Sequence, residues 1–458
     1  MTSPTVPAVP PGPSTFRALT QLGTFRGSLS RVPAFLDAAA KGYGPVSSWR
    51  MPRQRWYLVD EAPAIDKILT ADAGTVIKGR GTQRLSRLLG KGLLTSSEPL
   101  HLKQRRLVQP AFHRERVAGY AATMIAATTD LADRLADGQT VAVDALMNRL
   151  TLRIAAKTLF SVDVDDDADT IGRALTAVLE AFPASLSAYG ELLDHLTWHP
   201  ITRRFNAARD EMDRVIAKVI AQRRAEGNPD YGDLLSILMT SAAEDGQPMP
   251  DQQIRDEALT LLLAGHETTA NALAWAWDQL ARSPEVEARL HVELDEVLGD
   301  RDPVPSDVPQ LKFTRDVFAE TMRLRPPAWL MGRYSLKPLQ LAGWDVPAGA
   351  VLFVSPYVTH RNPRYWKEPD AFRPERWSNG ETADLPRGAY FPFGGGTRIC
   401  IGEAFAWTEG VLLLATLARR FRFTAVSDEP VPLDPLVTLR PGRAIGMRVH
   451  ARQPLVAH

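Results

Sequence analysis

A chain of 458 residues, 45% of them hydrophobic, has ample material for a large buried core. Its 54 Lys and Arg against 53 Asp and Glu leave a net charge of +1, so no global charge excess points to nucleic acid. One cysteine, Cys400, excludes an intrachain disulfide and any zinc or iron–sulfur site built from several thiolates, and it fits a reducing compartment.

The chain opens with MTSPTVPAVPPGPSTF, which has prolines at 4, 7, 10, 11 and 13 and no continuous apolar core. It lacks the form of an export signal, and residues 1–15 read as a proline-rich, unstructured lead-in. No run approaches the roughly 18 apolar residues of a membrane span, so a cytoplasmic protein is expected. Strand-like pieces come early (PVSSW, QRWYLVD) and late (VLFVSP, IGMRVHA). Long helical patterns run from Val117 to Leu135, Ile201 to Glu226, Ile254 to Ala281 and Glu403 to Arg420. Proline and glycine punctuate Pro326 to Gly396, which predicts loops, turns and short strands. No repeat or linker divides residues 16–458. They are expected to form one domain, mainly α with a smaller β portion (α+β).

Four stretches carry chemistry. LTLLLAGHETTANALAW, from Leu259, is a helical pattern interrupted at mid-length by Gly265, His266, Glu267, Thr268 and Thr269. A mid-helix glycine costs about 1 kcal/mol against alanine, and unpartnered polar groups cost more. The threonines could bond back one turn while Glu267 finds solvent, but the expectation is that the helix opens locally to set an acid and an alcohol beside something in the core. A zinc-protease HExxH fails because Ala270 stands where the second histidine belongs. ETMR places Glu320 and Arg323 three apart, a spacing that alone indicates only a surface pair worth about 0.2–0.5 kcal/mol. FRPERW, Phe372 to Trp377, sets arginines among aromatics in a loop. FGGGTRICIG surrounds Cys400 with glycines, which suits either an inert buried thiol or a ligating thiolate. A phosphate cradle is excluded, since there is no GxGxxG and no following lysine.

In this order and spacing, the four stretches resemble the cytochrome P-450 family of haem-thiolate monooxygenases, from about Ala38 to Arg452. The cysteine loop matches the family pattern at Phe393, Gly396, Arg398, Cys400 and Gly402. The resemblance implies haem b with Cys400 as axial thiolate, a ligand that favours O–O cleavage. It implies an ion network of Glu320, Arg323 and Arg376, with haem propionates at His101, Arg105, Arg333 and Arg398. His101 stands where the family often has tryptophan, and Arg325 where an aromatic or histidine is common. Thr268 and Glu267 become the alcohol and the acid that manage protons, while Ala264 and Gly265 leave room for O2 and water.

The implied reaction inserts one oxygen atom into a lipophilic molecule such as a terpenoid, a steroid-like compound or a fatty acid. The expected wall comprises Leu88, Leu89, Phe182, Leu261, Trp329, Leu330, Met331, Val437 and Thr438, with Arg440 as a candidate carboxylate anchor. Electrons are expected from NAD(P)H through a separate ferredoxin or flavodoxin and its reductase, steered by Lys103, Arg106, Arg114 and Arg116. A monomer is expected. A peroxide-using or non-oxygenating haem-thiolate enzyme is the alternative, and a haem sensor or carrier is a further one. The Glu267–Thr268 pair argues against both.

Overall fold

The computed structural model describes residues 9–21, 29–51, 54–163, 168–186, 195–241 and 249–452. Its spine is the 31-residue central helix Asp251–Ala281. Pro250 precedes it in extended conformation and Asp251 lies in its first turn, where an acid suits the positive end of the helix. The chain then leaves the helix at Arg282, and Pro284 starts the next one, Pro284–Leu298. Buried residues occupy every face of the central helix, as expected for a helix that runs through a core. It is continuous through AGHETT, so the expected local opening is absent. Thr268 instead satisfies its hydroxyl within the helix, donating to the Ala264 carbonyl at 2.7 Å.

Around this spine pack the helices Val143–Phe160, Lys312–Leu324 and Glu403–Arg420. The first is tied on by polar contacts. Thr151 donates to the His266 carbonyl at 3.1 Å, and His266 Nε2 reaches the Asn148 carbonyl at 3.0 Å. Burial lowers His266 to about 4, so the ring is neutral at pH 7 and Nε2–H is the donor. The four expected long helices are present as Arg114–Ala132, Pro200–Ala225, Asp251–Ala281 and Glu403–Arg420.

The β portion lies to one side. A five-stranded sheet runs in the order Val46–Arg50, Arg55–Val59, Val351–Val354, Met331–Ser335, Val76–Lys78. Its only parallel pair joins Arg55–Val59 to Val351–Val354, far apart in sequence. A three-stranded antiparallel sheet joins Thr140–Ala142, Gly446–Ala451 and Phe421–Ala425. Residues 1–8 of the proline-rich lead-in lie outside the described residues. Residues 9–14, expected to be unstructured, dock instead. The Pro10 and Pro11 carbonyls accept hydrogen bonds from Ser48 at 2.8 and 3.0 Å, and helix Thr15–Gln21 follows. Proline carries no donor, but its carbonyl can still pair along a sheet edge.

Candidate haem-thiolate site

The cysteine loop is shaped by close backbone contacts. Gly394 and Gly396 have φ of +76° and +64°. A Cβ on Gly396 would stand 2.3 Å from the Leu69 carbonyl oxygen, so a side chain is excluded there by space as well as conformation. The Cys400 N–H donates to the Phe393 carbonyl at 2.9 Å, closing the loop. Gly402 directs its N–H at the sulfur and also caps the helix Glu403–Arg420, so the thiol faces the positive end of that helix.

Burial pushes the free Cys400 thiol up to about 11, while the Gly402 N–H and Arg105 pull the other way. Yet the side chain is accessible. Both hold if the sulfur faces an internal hollow rather than the outer surface. Ile401, beside it, packs against the apolar cluster that contains Leu261, Leu262 and Leu263 of the central helix. One turn along that helix, Ala264 is exposed and Gly265 and Thr268 are partly open, although the residues flanking them are buried.

Cations gather beside the cysteine loop with few anions to balance them. The sheet register sets Lys78 directly opposite Arg333, and like charges so placed repel. Burial, with Arg398 and Arg333 nearby, brings Lys78 down to about 7; burial and Arg398 bring Arg333 to about 10. Lys78 donates to the carbonyls of Leu94 and Ser96, and Arg398 also donates to Ser96, at 3.1 Å. Arg333 donates to the neighbouring Gly332 carbonyl at 3.0 Å. Arg105 donates to the Ile399 carbonyl at 2.8 Å.

The carboxylate in this group is Glu98, which pairs with Arg398 at 3.0 Å and with His101 Nδ1 at 2.8 Å. Burial, reinforced by Arg398, lowers His101 to about 4 despite Glu98, so the neutral ring donates from Nδ1. Among the described residues, Glu98 thus pairs with Arg398, while Lys78, Arg105 and Arg333 bond only backbone carbonyls. A group bearing two carboxylates and a metal that takes a thiolate fits this donor set, and haem is such a group. Lys78 was absent from the sequence expectations. Only its register opposite Arg333 reveals it.

On the central helix the acid and the alcohol point to different surroundings. Thr268 is partly open, whereas Glu267 is 5% exposed. Glu267 does not find solvent. It accepts a 2.7 Å hydrogen bond from Thr438, which in turn accepts from Asn271 at 3.2 Å. Burial raises the Glu267 carboxyl above its usual range, against the opposing pull of Thr438 and Arg440. Thr438, expected in the substrate wall, is therefore occupied with holding the acid, and Arg440 faces that acid too.

The remaining wall candidates divide. Leu88, Leu89, Phe182 and Leu261 are buried in one apolar cluster, with the half-buried Val437 packed against it. Trp329 is buried in another cluster, which Leu330 flanks, and its indole donates to the Leu436 carbonyl at 3.2 Å. Met331 is half-buried, its sulfur 3.8 Å from the position of a Cβ on Gly394. The half-open members Leu330, Met331 and Val437 are the ones with surface to offer a ligand.

Glu320 anchors a closed network. Arg323 donates to both its oxygens at 2.9 Å, Arg376 at 3.0 Å, Trp377 at 3.1 Å and the Arg373 N–H at 2.9 Å. Arg323 spends its other protons on the carbonyls of His360, Pro369 and Ala371. Exposure of Glu320, Arg323 and Arg376 is 0, 0 and 1%, so these are no surface pairs. Arg325 stacks 5.2 Å from the centre of the Trp275 ring, which gives its unexpected guanidinium a place.

The family model for cytochrome P450 matches residues 10–445. The chain is 37% identical to cyclooctatin synthase of Streptomyces melanosporofaciens over 90% of each chain. It is 34% identical to cyclooctat-9-en-7-ol 5-monooxygenase of the same organism over 87% of each. With pentalenene oxygenase of Streptomyces avermitilis it shares 32% identity over 93% of this chain and 94% of the relative. No helix among the described residues is long and apolar enough to cross a membrane. The cysteine loop, the buried Glu320 network and these similarities together make the chain a member of the cytochrome P450 family, an oxidoreductase of the haem-thiolate monooxygenase type.

Proposed function

We propose that this P450 hydroxylates or epoxidises a lipophilic, cyclic terpenoid, using O2 and two electrons from a separate ferredoxin or flavodoxin with its NAD(P)H-dependent reductase. The observation that carries this reading is an open alcohol, Thr268, beside a buried acid, Glu267, on a helix face otherwise walled by apolar side chains. The names of the three relatives support the terpenoid class.

Haem bound through the Cys400 thiolate supplies O2 activation. Arg105, Arg333 and Arg398, joined by Lys78 and His101, would hold its two carboxylates by charge-assisted bonds. Thr268 gives its own proton to the Ala264 carbonyl and keeps its oxygen free to accept a hydrogen bond from the hollow. Glu267, with its carboxyl raised by burial, is suited to take up a proton and to pass it on. This pair disfavours a peroxide-driven or non-oxygenating enzyme, which has no need of a proton store there. Lys103, Arg106, Arg114 and Arg116 are exposed and suit an acidic electron donor.

The test is a titration panel of cyclic terpenoids, fatty acids and small polar compounds, read by the haem spin-state change and by product formed with a supplied redox chain. Spin shift and turnover confined to terpenoids support the reading. Productive binding confined to small charged or highly polar compounds overturns it.

A further inference from the structure

Residues 90–93 form no helix or strand, yet their backbone is held tightly against the central helix. The Lys91 N–H donates to Asp256 at 2.7 Å, and the Leu93 N–H donates to Glu257 at 2.9 Å. Both acids are buried, at 4% and 0% exposed. Each is braced from its own helix: Gln252 and Arg255 donate to Asp256 at 2.8 Å, and Gln253 to Glu257 at 2.9 Å. The Lys91 carbonyl is in turn taken by Gln104 at 2.5 Å.

The approach leaves no room for side chains. A Cβ on Gly92 would stand 2.1 Å from the Thr260 hydroxyl, and one on Gly90 would stand 2.0 Å from the Asp256 carboxylate. Gly90 also has φ of +55°, a conformation glycine adopts freely.

What this loop carries gives the attachment its consequence. Immediately before it lie Leu88 and Leu89, packed in the same cluster as Leu261 and Leu262. Immediately after it, the Ser96 carbonyl receives Lys78 and Arg398, and Glu98 pairs with Arg398 and His101. At 1.5 Å of rise per residue, Glu257 sits about 10 Å along the helix from the open face at Ala264.

We propose that Asp256 and Glu257 are positioning residues for the oxygenation site. By latching the 90–93 backbone to the central helix, they fix the packing of Leu88 and Leu89 against Leu261 and Leu262, behind the open helix face, and the segment that bonds the cofactor cations. This rests on the monooxygenase reading of the hollow, but not on the terpenoid assignment. Burial pushes Glu257 up to about 7, and either protonation state still offers an oxygen to the Leu93 N–H. Since the latch works by accepting a hydrogen bond, an amide should serve where an alanine cannot.

The experiment uses the full haem-loaded chain and two azole probes read by the Soret shift. Imidazole needs little more than access to the iron, whereas 4-phenylimidazole also needs a formed apolar wall. In Glu257→Ala, the affinity for 4-phenylimidazole relative to imidazole should fall about tenfold, and Glu257→Gln should restore most of it. An unchanged ratio in Glu257→Ala, or a Gln variant as impaired as the Ala variant, overturns the proposal. Hydrogen exchange on the unmutated protein tests it where the alanine variant fails to fold. Slow exchange at Lys91 and Leu93 supports the latch, and rates typical of an exposed turn contradict it. A terpenoid panel that gives no spin shift would sink the substrate class alone, leaving the azole ratio to judge the latch.

Discussion

Two clusters of charge, one around Glu320 and one around Arg398, are built to different ends. Around Glu320, one carboxylate receives five donors, and the two principal arginines complete their bonds with backbone carbonyls. Around Arg398, Lys78 and Arg333 face one another across a sheet, with Glu98 as the carboxylate that pairs with Arg398. The first network is complete within the chain. The second has donors left over, and burial, reinforced by the neighbouring cations, pushes its lysine and arginine below their usual ranges. Arginine content alone does not separate a structural site from a binding site. The balance of donors and acceptors does.

The largest expected effect comes from breaking the closed network. Glu320→Ala leaves Arg323 and Arg376 buried without their anion, a loss of about 3–5 kcal/mol. Poorly folded, haem-deficient protein is expected, measured by haem content and melting temperature. Wild-type values in both would mean that the network is dispensable.

Arg333→Gln should behave in the opposite manner. Removing a cation that faces Lys78 relieves repulsion, so the melting temperature of the haem-free chain should hold or rise. Haem loss to a scavenger should accelerate by at least about tenfold, since a charge-assisted bond is worth about 1.5–3 kcal/mol. A fall in stability like that of Glu320→Ala, with haem retention unchanged, would assign Arg333 to the fold instead of the cofactor.

The smallest effect sharpens the same distinction at the acid. Thr438→Val removes one neutral hydrogen bond to Glu267, worth about 1 kcal/mol. That bond pulls the Glu267 carboxyl down against burial. Its loss should therefore raise the pKa further and move the pH profile of turnover towards alkaline pH. A profile that stays in place, or that moves towards acid, would show that Thr438 does not act on Glu267.

Much of this was legible where chemistry is local in sequence. Cys400, Gly396, Arg398 and Gly402 fall within one short loop, and Glu320 and Arg323 within one helical turn. The long helices could be read because their apolar faces repeat over many turns. What could not be read depends on distant pairings. Lys78 meets Arg333 only through sheet register, Thr438 reaches Glu267 from a late hairpin, and the 90–93 backbone meets Asp256 and Glu257 across more than 160 residues. Backbone donors such as Leu93 N–H leave no mark in the sequence. The expected opening at AGHETT failed for a related reason, because Thr268 could be satisfied by its own helix.

The central assignment is Cys400 as the axial ligand of a haem whose carboxylates would complete the cation cluster. The ferrous–CO spectrum tests this most directly. The purified protein should give a Soret band strongly shifted to the red by thiolate, and Cys400→Ala should abolish it. A wild-type band at the position typical of histidine-ligated haem, or an unshifted spectrum after the substitution, would contradict the assignment.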